Sequence, residues 1–278
     1  MSEKSAAEQC AAKVRQYDYA RYFAAVFAPP EIRRALTALY AFNLELAFTR
    51  ERVSEPLIGE MRLQWWRDTV EGIFEGTVRN HAVAEEVAAL AEKYDVPRAA
   101  LDALIDARAF DLSEVPPENM ATLRRYVEAT AGDLAGIAAG ICGGHRDAAV
   151  EAGMVWGFAG MMRAVPFHAS GGRVRLPMDL LRRAGLRTDD VLSGSKRHLV
   201  AEAVAPLVAE TQERLARLKR EAGKIDRPLR PALAYVGSAG LYLHRLERRS
   251  GDVFDGSAEP PRPSVQFRTL RTALTGKL

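Results

Sequence analysis

Asn43, Glu45, Glu51 and Glu55 sit on and just after a stretch that is otherwise apolar at helical spacing, and they are the first residues here that could do chemistry. Carboxylates four apart, Glu51 with Glu55 or Asp102 with Asp106, can chelate a hard cation, although the same spacing also marks a solvated helix face. A second set gathers in 163–175, RAVPFHASGGRVR, where Arg163, His168, Arg173 and Arg175 flank Gly171-Gly172. Arginines beside free backbone N–H groups suit a phosphate or carboxylate; pairing with nearby acids is the structural alternative. His168 has no His or carboxylate three or four residues away, which argues against a metal ligand. Asp133 is the one acid in 129–143, ATAGDLAGIAAGICG, where Gly132, Gly136 and Gly140 recur every fourth residue. Such a stripe either packs closely on a neighbouring helix, or thins the helix to admit a bulky ligand or breaks it locally beside one. No HExxH, CxxC, nucleophile elbow or Gly-rich phosphate loop is present.

The elements that must position these residues read as helices throughout. Glu31–Asp68 organises the chain. Pro29-Pro30 sets its start, Ala35, Leu36, Leu39, Phe42, Leu46 and Ala47 share one apolar face, and Pro56 ends or kinks the run before a second helix through Trp65 and Trp66. One indole is expected in the core and the other at a partner or pocket surface, since neighbours on a helix point about 100° apart. Periodicity predicts further helices over Tyr17–Phe27, Ala82–Tyr94, Arg98–Phe110, Glu118–Cys142, Asp147–Val165, Lys196–Gly223, Pro231–Arg249 and Ser264–Lys277, with a short one opened by Pro177 and stopped at Gly185. Loops are expected at Ser113–Pro117, Phe167–Leu176 and Asp252–Pro263, the last as an exposed connection. Strand-type alternation is absent, so the fold class is all-α.

The chain has 278 residues and is 48% hydrophobic, enough for one large core. A single domain over 1–278 is expected, with its core at about 17–250 and a C-terminal tail and helix at 251–278. The formal charge is only +3, with basic and acidic residues interspersed, which speaks against nucleic acid as a partner. Cys10 and Cys142, far apart and without metal-spaced companions, read as reduced thiols. The N-terminus has neither an apolar signal core nor the acid-poor composition of a transit peptide, and no apolar run approaches the roughly 20 residues that span a bilayer. The expected location is cytoplasmic, with peripheral contact at an inner membrane left open.

Several segments, in order, resemble the squalene/phytoene synthase family: ALTALYAF (35–42), MRLQWWRD (61–68), LIDARAFDL (104–112), LRRYVEATAG (123–132) and GRVRLPMDLL (172–181). The resemblance runs from about Tyr17 to Tyr242 and implies an isoprenoid synthase-type helical bundle around a central cavity, lined among others by Glu31–Val53 and Glu118–Cys142. Active members join two prenyl diphosphates, using aspartate motifs on facing helices to hold Mg²⁺ against the departing diphosphates. This sequence departs from that pattern. Ala47 and Phe48 stand at two aspartate positions of the first motif, with a carboxylate only at Glu51, and Ala164 and His168 stand at those of the second. The subgroup with this loss resembles the complex I assembly factors of the family, regarded as non-catalytic.

The resulting expectation is a pseudoenzyme with no catalytic residues, no metal site and no cofactor. Asn43, Glu45, Glu51, Asp111, Asp133, Arg163, His168 and Arg173 are its cavity and anion-binding candidates, with Arg163, His168 and Arg173 near one another at the cavity mouth. Expected partners are respiratory complex I subunits or a membrane surface, with an isoprenoid or lipid as candidate ligand and no nucleic acid. The alternative is a Mg²⁺-dependent prenyl diphosphate condensing transferase with a metal site rearranged around Glu45, Glu51, Glu55, Asp111 or Asp133; a lipid carrier without a protein partner is the third class.

Overall fold

The computed structural model describes residues 4–221 and 225–278 and is built of helices, with no strand among the described residues. Helix α1 (Ala6–Tyr17) begins with a capping box, in which Ser5 and Glu8 satisfy each other's backbone N–H groups. After α2 (Tyr19–Ala25), Pro30 opens α3 (Pro30–Ala47), the central helix. Every residue of α3 from Ala35 to Leu46 is buried, the pattern of a helix enclosed on all sides; α1, α2, α5 (Ala82–Tyr94) and α9 (Asp133–Ile141) surround it. Between α3 and α5 come a single 3₁₀ turn at Arg50–Arg52 and α4 (Pro56–Phe74). On α4, Trp66 is buried edge-on to Phe42, while Trp65 is partly exposed beneath the Arg79 guanidinium.

Two predicted helices are interrupted where the site forms. The segment 98–110 divides into α6 (Arg98–Ala107) and α7 (Ala109–Leu112), with Arg108 at the break. The segment 118–142 is α8 (Met120–Val127), a π-helical turn at Glu128–Gly132, then α9. Opposite that turn runs α10 (Arg146–Arg163), where a Cβ on Gly153 would lie 2.3 Å from the Ala131 carbonyl oxygen and one on Gly157 would lie 2.7 Å from Val127 and Ala131 side-chain atoms. The small residues of both helices therefore serve close packing: Gly132 faces Val150 and Gly136 faces Arg146, whereas Gly140 faces open space.

The chain continues through α11 (Val165–Ser170), which takes up the start of the expected 167–176 loop, then α12 (Met178–Arg183) and α13 (Thr188–Leu192). Helix α12 ends at Gly185, in the left-handed conformation as expected of a C-terminal stop. The long α14 (Arg197–Glu221) follows; the predicted end of this helix at Gly223 lies outside the described residues. Helices α15 (Arg230–Leu233), α16 (Gly237–Glu247) and α17 (Arg262–Thr275) complete the fold, α17 packing on α2 and α16. The connection 252–263 is less exposed than its composition implies: Val253, Ala258 and Pro260 are buried. Both cysteines are buried free thiols. Among the described residues no helix is long and apolar enough to cross a membrane.

Candidate functional site

Where α3 ends, α7, α8 and α11 converge on a cavity of about 230 Å³. Ala47 and Phe48 bring the end of α3 to it, Glu51 comes from the following 3₁₀ turn, and Tyr126 comes from α8. Phe167, largely exposed, and His168 come from α11. The turn after α11 depends on Gly172, whose φ of +72° is cheap only for glycine, and it returns Arg173 and Arg175 to the same cavity.

The cationic wall is assembled by hydrogen bonds. Arg108 donates to Asn43 Oδ1 at 2.9 Å, to Asp111 Oδ2 at 3.1 Å and to the Tyr126 hydroxyl at 3.2 Å, while that hydroxyl donates to Asp111 Oδ1 at 2.6 Å. Arg175 is buried against the Phe110 ring and donates to the backbone carbonyls of Phe110 (3.2 Å) and Asp111 (2.6 Å). Arg173 reaches Glu51 at 3.3 Å. Burial, then the nearby Asp111 charge, raises the Tyr126 phenol, so it stays a proton donor at neutral pH. Burial, followed by the Arg173 and Arg175 charges, pushes the His168 imidazole down to about 4, and its buried Nδ1 has no partner. At neutral pH the cavity therefore presents three arginines and a neutral His168 against Glu51 and Asp111, and each of those acids is already engaged by an arginine.

This donor set does not fit Mg²⁺. The cation takes hard oxygen ligands in near-octahedral array, and Ala47, Phe48 and His168 supply no oxygen where the synthase pattern has aspartate. No group of three His, Cys, Asp or Glu able to hold a metal is found among the described residues. The acid pair at Asp102 and Asp106 is held by arginines as well, Asp102 by Arg98 and Asp106 by Arg67.

Of the eight expected site residues, Glu51, Asp111, His168 and Arg173 line the cavity, and Asn43 stands behind it on Arg108. Three lie elsewhere. Glu45 is buried on the other side of α3 with Lys13, Arg52 and Arg62, the last two at 2.7 and 2.8 Å; two residues from Asn43 and two from Ala47, it points about 200° away from each. Asp133 pairs with Arg146 at 2.5 Å. Seven residues from Tyr126, it would share a face with it on an unbroken α-helix, and the π turn rotates it away by about a quarter turn. Arg163 is not at the cavity mouth: it makes a two-pronged pair with Glu259 at 2.6 and 2.7 Å and lies over Trp156, in a separate cleft beside Tyr17 and Tyr242. Arg108 was missed, because LIDARAFDL holds no Gly or Pro to mark the helix break that turns it inward. Arg175 carried a signal in its place beside Arg173, yet its anchoring on Phe110 and Asp111 was not foreseeable.

The all-helical bundle, with this cavity among its converging helices, is an isoprenoid synthase-type fold. A dehydrosqualene synthase crystallised with a ligand superposes with a TM-score of 0.81 at 16% identity, covering 97% of this chain and 95% of that one. The squalene/phytoene synthase family profile matches residues 14–269, and the chain belongs to that family. Among its relatives, NADH dehydrogenase (ubiquinone) complex I, assembly factor 6 of Mus musculus is 30% identical over 270 residues, 96% of this chain and 79% of that protein. The Homo sapiens protein of the same name is 29% identical over 254 residues, 90% and 76%.

Proposed function

We propose that this protein is a non-catalytic member of its family that acts in the assembly of respiratory complex I, as its relatives' name states of them, and that its cavity binds an anionic group without metal. The observation that carries this reading is the cationic surplus of the cavity: Arg108, Arg173 and Arg175 outnumber Glu51 and Asp111, while Ala47, Phe48 and His168 in the same lining offer no carboxylate. A diphosphate or carboxylate entering it would meet guanidinium groups already oriented by Asn43, Asp111 and backbone carbonyls, a preorganised arrangement for charge-assisted hydrogen bonds. Ionising a prenyl diphosphate there lacks the neutralisation that two or more Mg²⁺ ions provide. One unit-charge pair at about 4 Å is worth roughly 4 kcal/mol at an effective dielectric near 20, and each 1.36 kcal/mol is about tenfold in rate. Losing two such pairs slows the step by roughly six orders of magnitude.

The transferase reading has one observation in its favour: Glu51 and Asp111 line the same cavity. Incubation with farnesyl or geranylgeranyl diphosphate and Mg²⁺ separates the two. No released diphosphate is expected; product that disappears in Glu51→Gln would establish the transferase. Co-purification of the tagged chain with complex I subunits from its native host is the positive test of the assembly role, and their absence from the eluate under mild detergent would count against it.

A further inference from the structure

Helix α17 carries basic residues with no acids among them. From Arg262 to Leu278 the chain has Arg262, Arg268, Arg271 and Lys277 and no Asp or Glu. Since the whole chain is +3, this segment's +4 leaves −1 for everything before it; the basic residues are less evenly interspersed than the totals imply. None of these four cations forms an ion pair among the described residues, although ion pairs are abundant elsewhere on the surface. Arg271 bears on Arg268, and both bear on Lys219 at the end of α14, so like charges face one another. Nearby, Arg227 is exposed as well, with Asp226 beside it as an adjacent acid.

The same helix exposes an apolar stripe. Phe267, Leu270 and Leu274 are 70%, 37% and 65% exposed, while Thr269, Thr272 and Ala273 face the protein. The three exposed side chains follow the three-and-four spacing of one helical face and extend over about 10 Å. At Leu274 the stripe meets an open groove of about 820 Å³ lined by Phe27, Pro29, Ile32, Pro228 and Pro231, with Arg227 and Arg230 also in its wall.

We propose that the exposed face of α17 docks on an anionic lipid bilayer, Phe267, Leu270 and Leu274 entering the headgroup–acyl boundary while Arg271 and Arg227 engage lipid phosphates. Charge complementarity selects this occupant. An in-plane helix needs bulky apolar side chains on one side and basic residues flanking them, and each basic residue near an anionic surface contributes about fivefold to binding, an effect that salt screens. A second copy of this face would bring cations against cations.

The test is sedimentation of the full chain with vesicles of phosphatidylcholine alone and of phosphatidylcholine doped with phosphatidylglycerol. Binding is expected only with the anionic lipid and weakens with salt. It falls at least about tenfold in Arg227→Glu/Arg271→Glu and in Phe267→Ser/Leu274→Ser, all exposed sites whose melting should match wild type. A Phe267→Trp variant gives an independent reading: the fluorescence of the introduced indole shifts to the blue and is quenched by brominated lipid. No binding to anionic vesicles, binding unchanged in both double variants, or an indole signal that lipid leaves unaltered would overturn the proposal. So would a dimer that Phe267→Ser/Leu274→Ser converts to monomer, since the stripe would then be an interface between copies.

Discussion

Glu45 and Glu51 are six residues apart and both are cavity candidates by sequence, yet the fold uses them in opposite ways. Glu45 is only 2% exposed and holds Lys13, Arg52 and Arg62 to the side of α3 that faces α1 and α4. Glu51, beyond the end of α3, has Arg173 as its one ion-pair partner among the described residues and borders the cavity. The first is a buried anion that gathers cations into the scaffold. The second is a partial counter-charge in a cavity with a surplus of arginine. For these two carboxylates, the number of enclosing cations separates structure from site.

The largest effect that sharpens this contrast is on stability. Glu45→Gln leaves three cations around a neutral buried amide and should lower unfolding free energy by about 2–4 kcal/mol, measured by urea denaturation; a loss no larger than that of Glu51→Gln would erase the distinction. Next is the cavity's dependence on pH. His168 titrates at about 4 when folded, against an ordinary value near 6.5 when unfolded, so the unfolded chain takes up the proton first. The stability this represents is complete above about pH 6.5 and is lost as pH falls towards 4, by about 1–3 kcal/mol. His168→Gln should flatten that part of the stability curve, and a slope identical to wild type would mean that His168 is not held neutral. Smaller again is anion affinity: Arg173→Ala should weaken pyrophosphate binding about tenfold, read by calorimetry. Smallest is Glu51→Gln, which removes a competing carboxylate and should strengthen the same binding about two- to fivefold; weaker binding would mean that Glu51 supports the anion site by positioning Arg173.

Much of this was legible from residue order. Ala82–Tyr94 forms as predicted, the apolar run after Pro30 is the central helix, and Ala47, Phe48, Ala164 and His168 stand where the family resemblance implies aspartate. The misplacement of Glu45 was avoidable, since two residues along a helix is just over half a turn. Asp133 and Arg108 were harder. One is moved by a π turn whose only sequence mark is the glycine stripe beginning at Gly132, and the other is turned inward at a break between α6 and α7, where it meets Asp111 and Tyr126. Arg163 adjoins Ala164, a second-motif position, but its partner Glu259 is 96 residues away in a connection that composition described as exposed. Long-range ion pairs of this kind cannot be read from local pattern.

The central claim is that the cavity keeps a place for an anion after losing the means to hold metal. Calorimetric titration of pyrophosphate into the wild-type chain, once with Mg²⁺ and once with chelator, tests it most directly. The account predicts binding with chelator present and, once Mg²⁺ complexation of free pyrophosphate is allowed for, no gain from the metal. Binding that requires Mg²⁺ would contradict it and return the cavity to the catalytic members of the family.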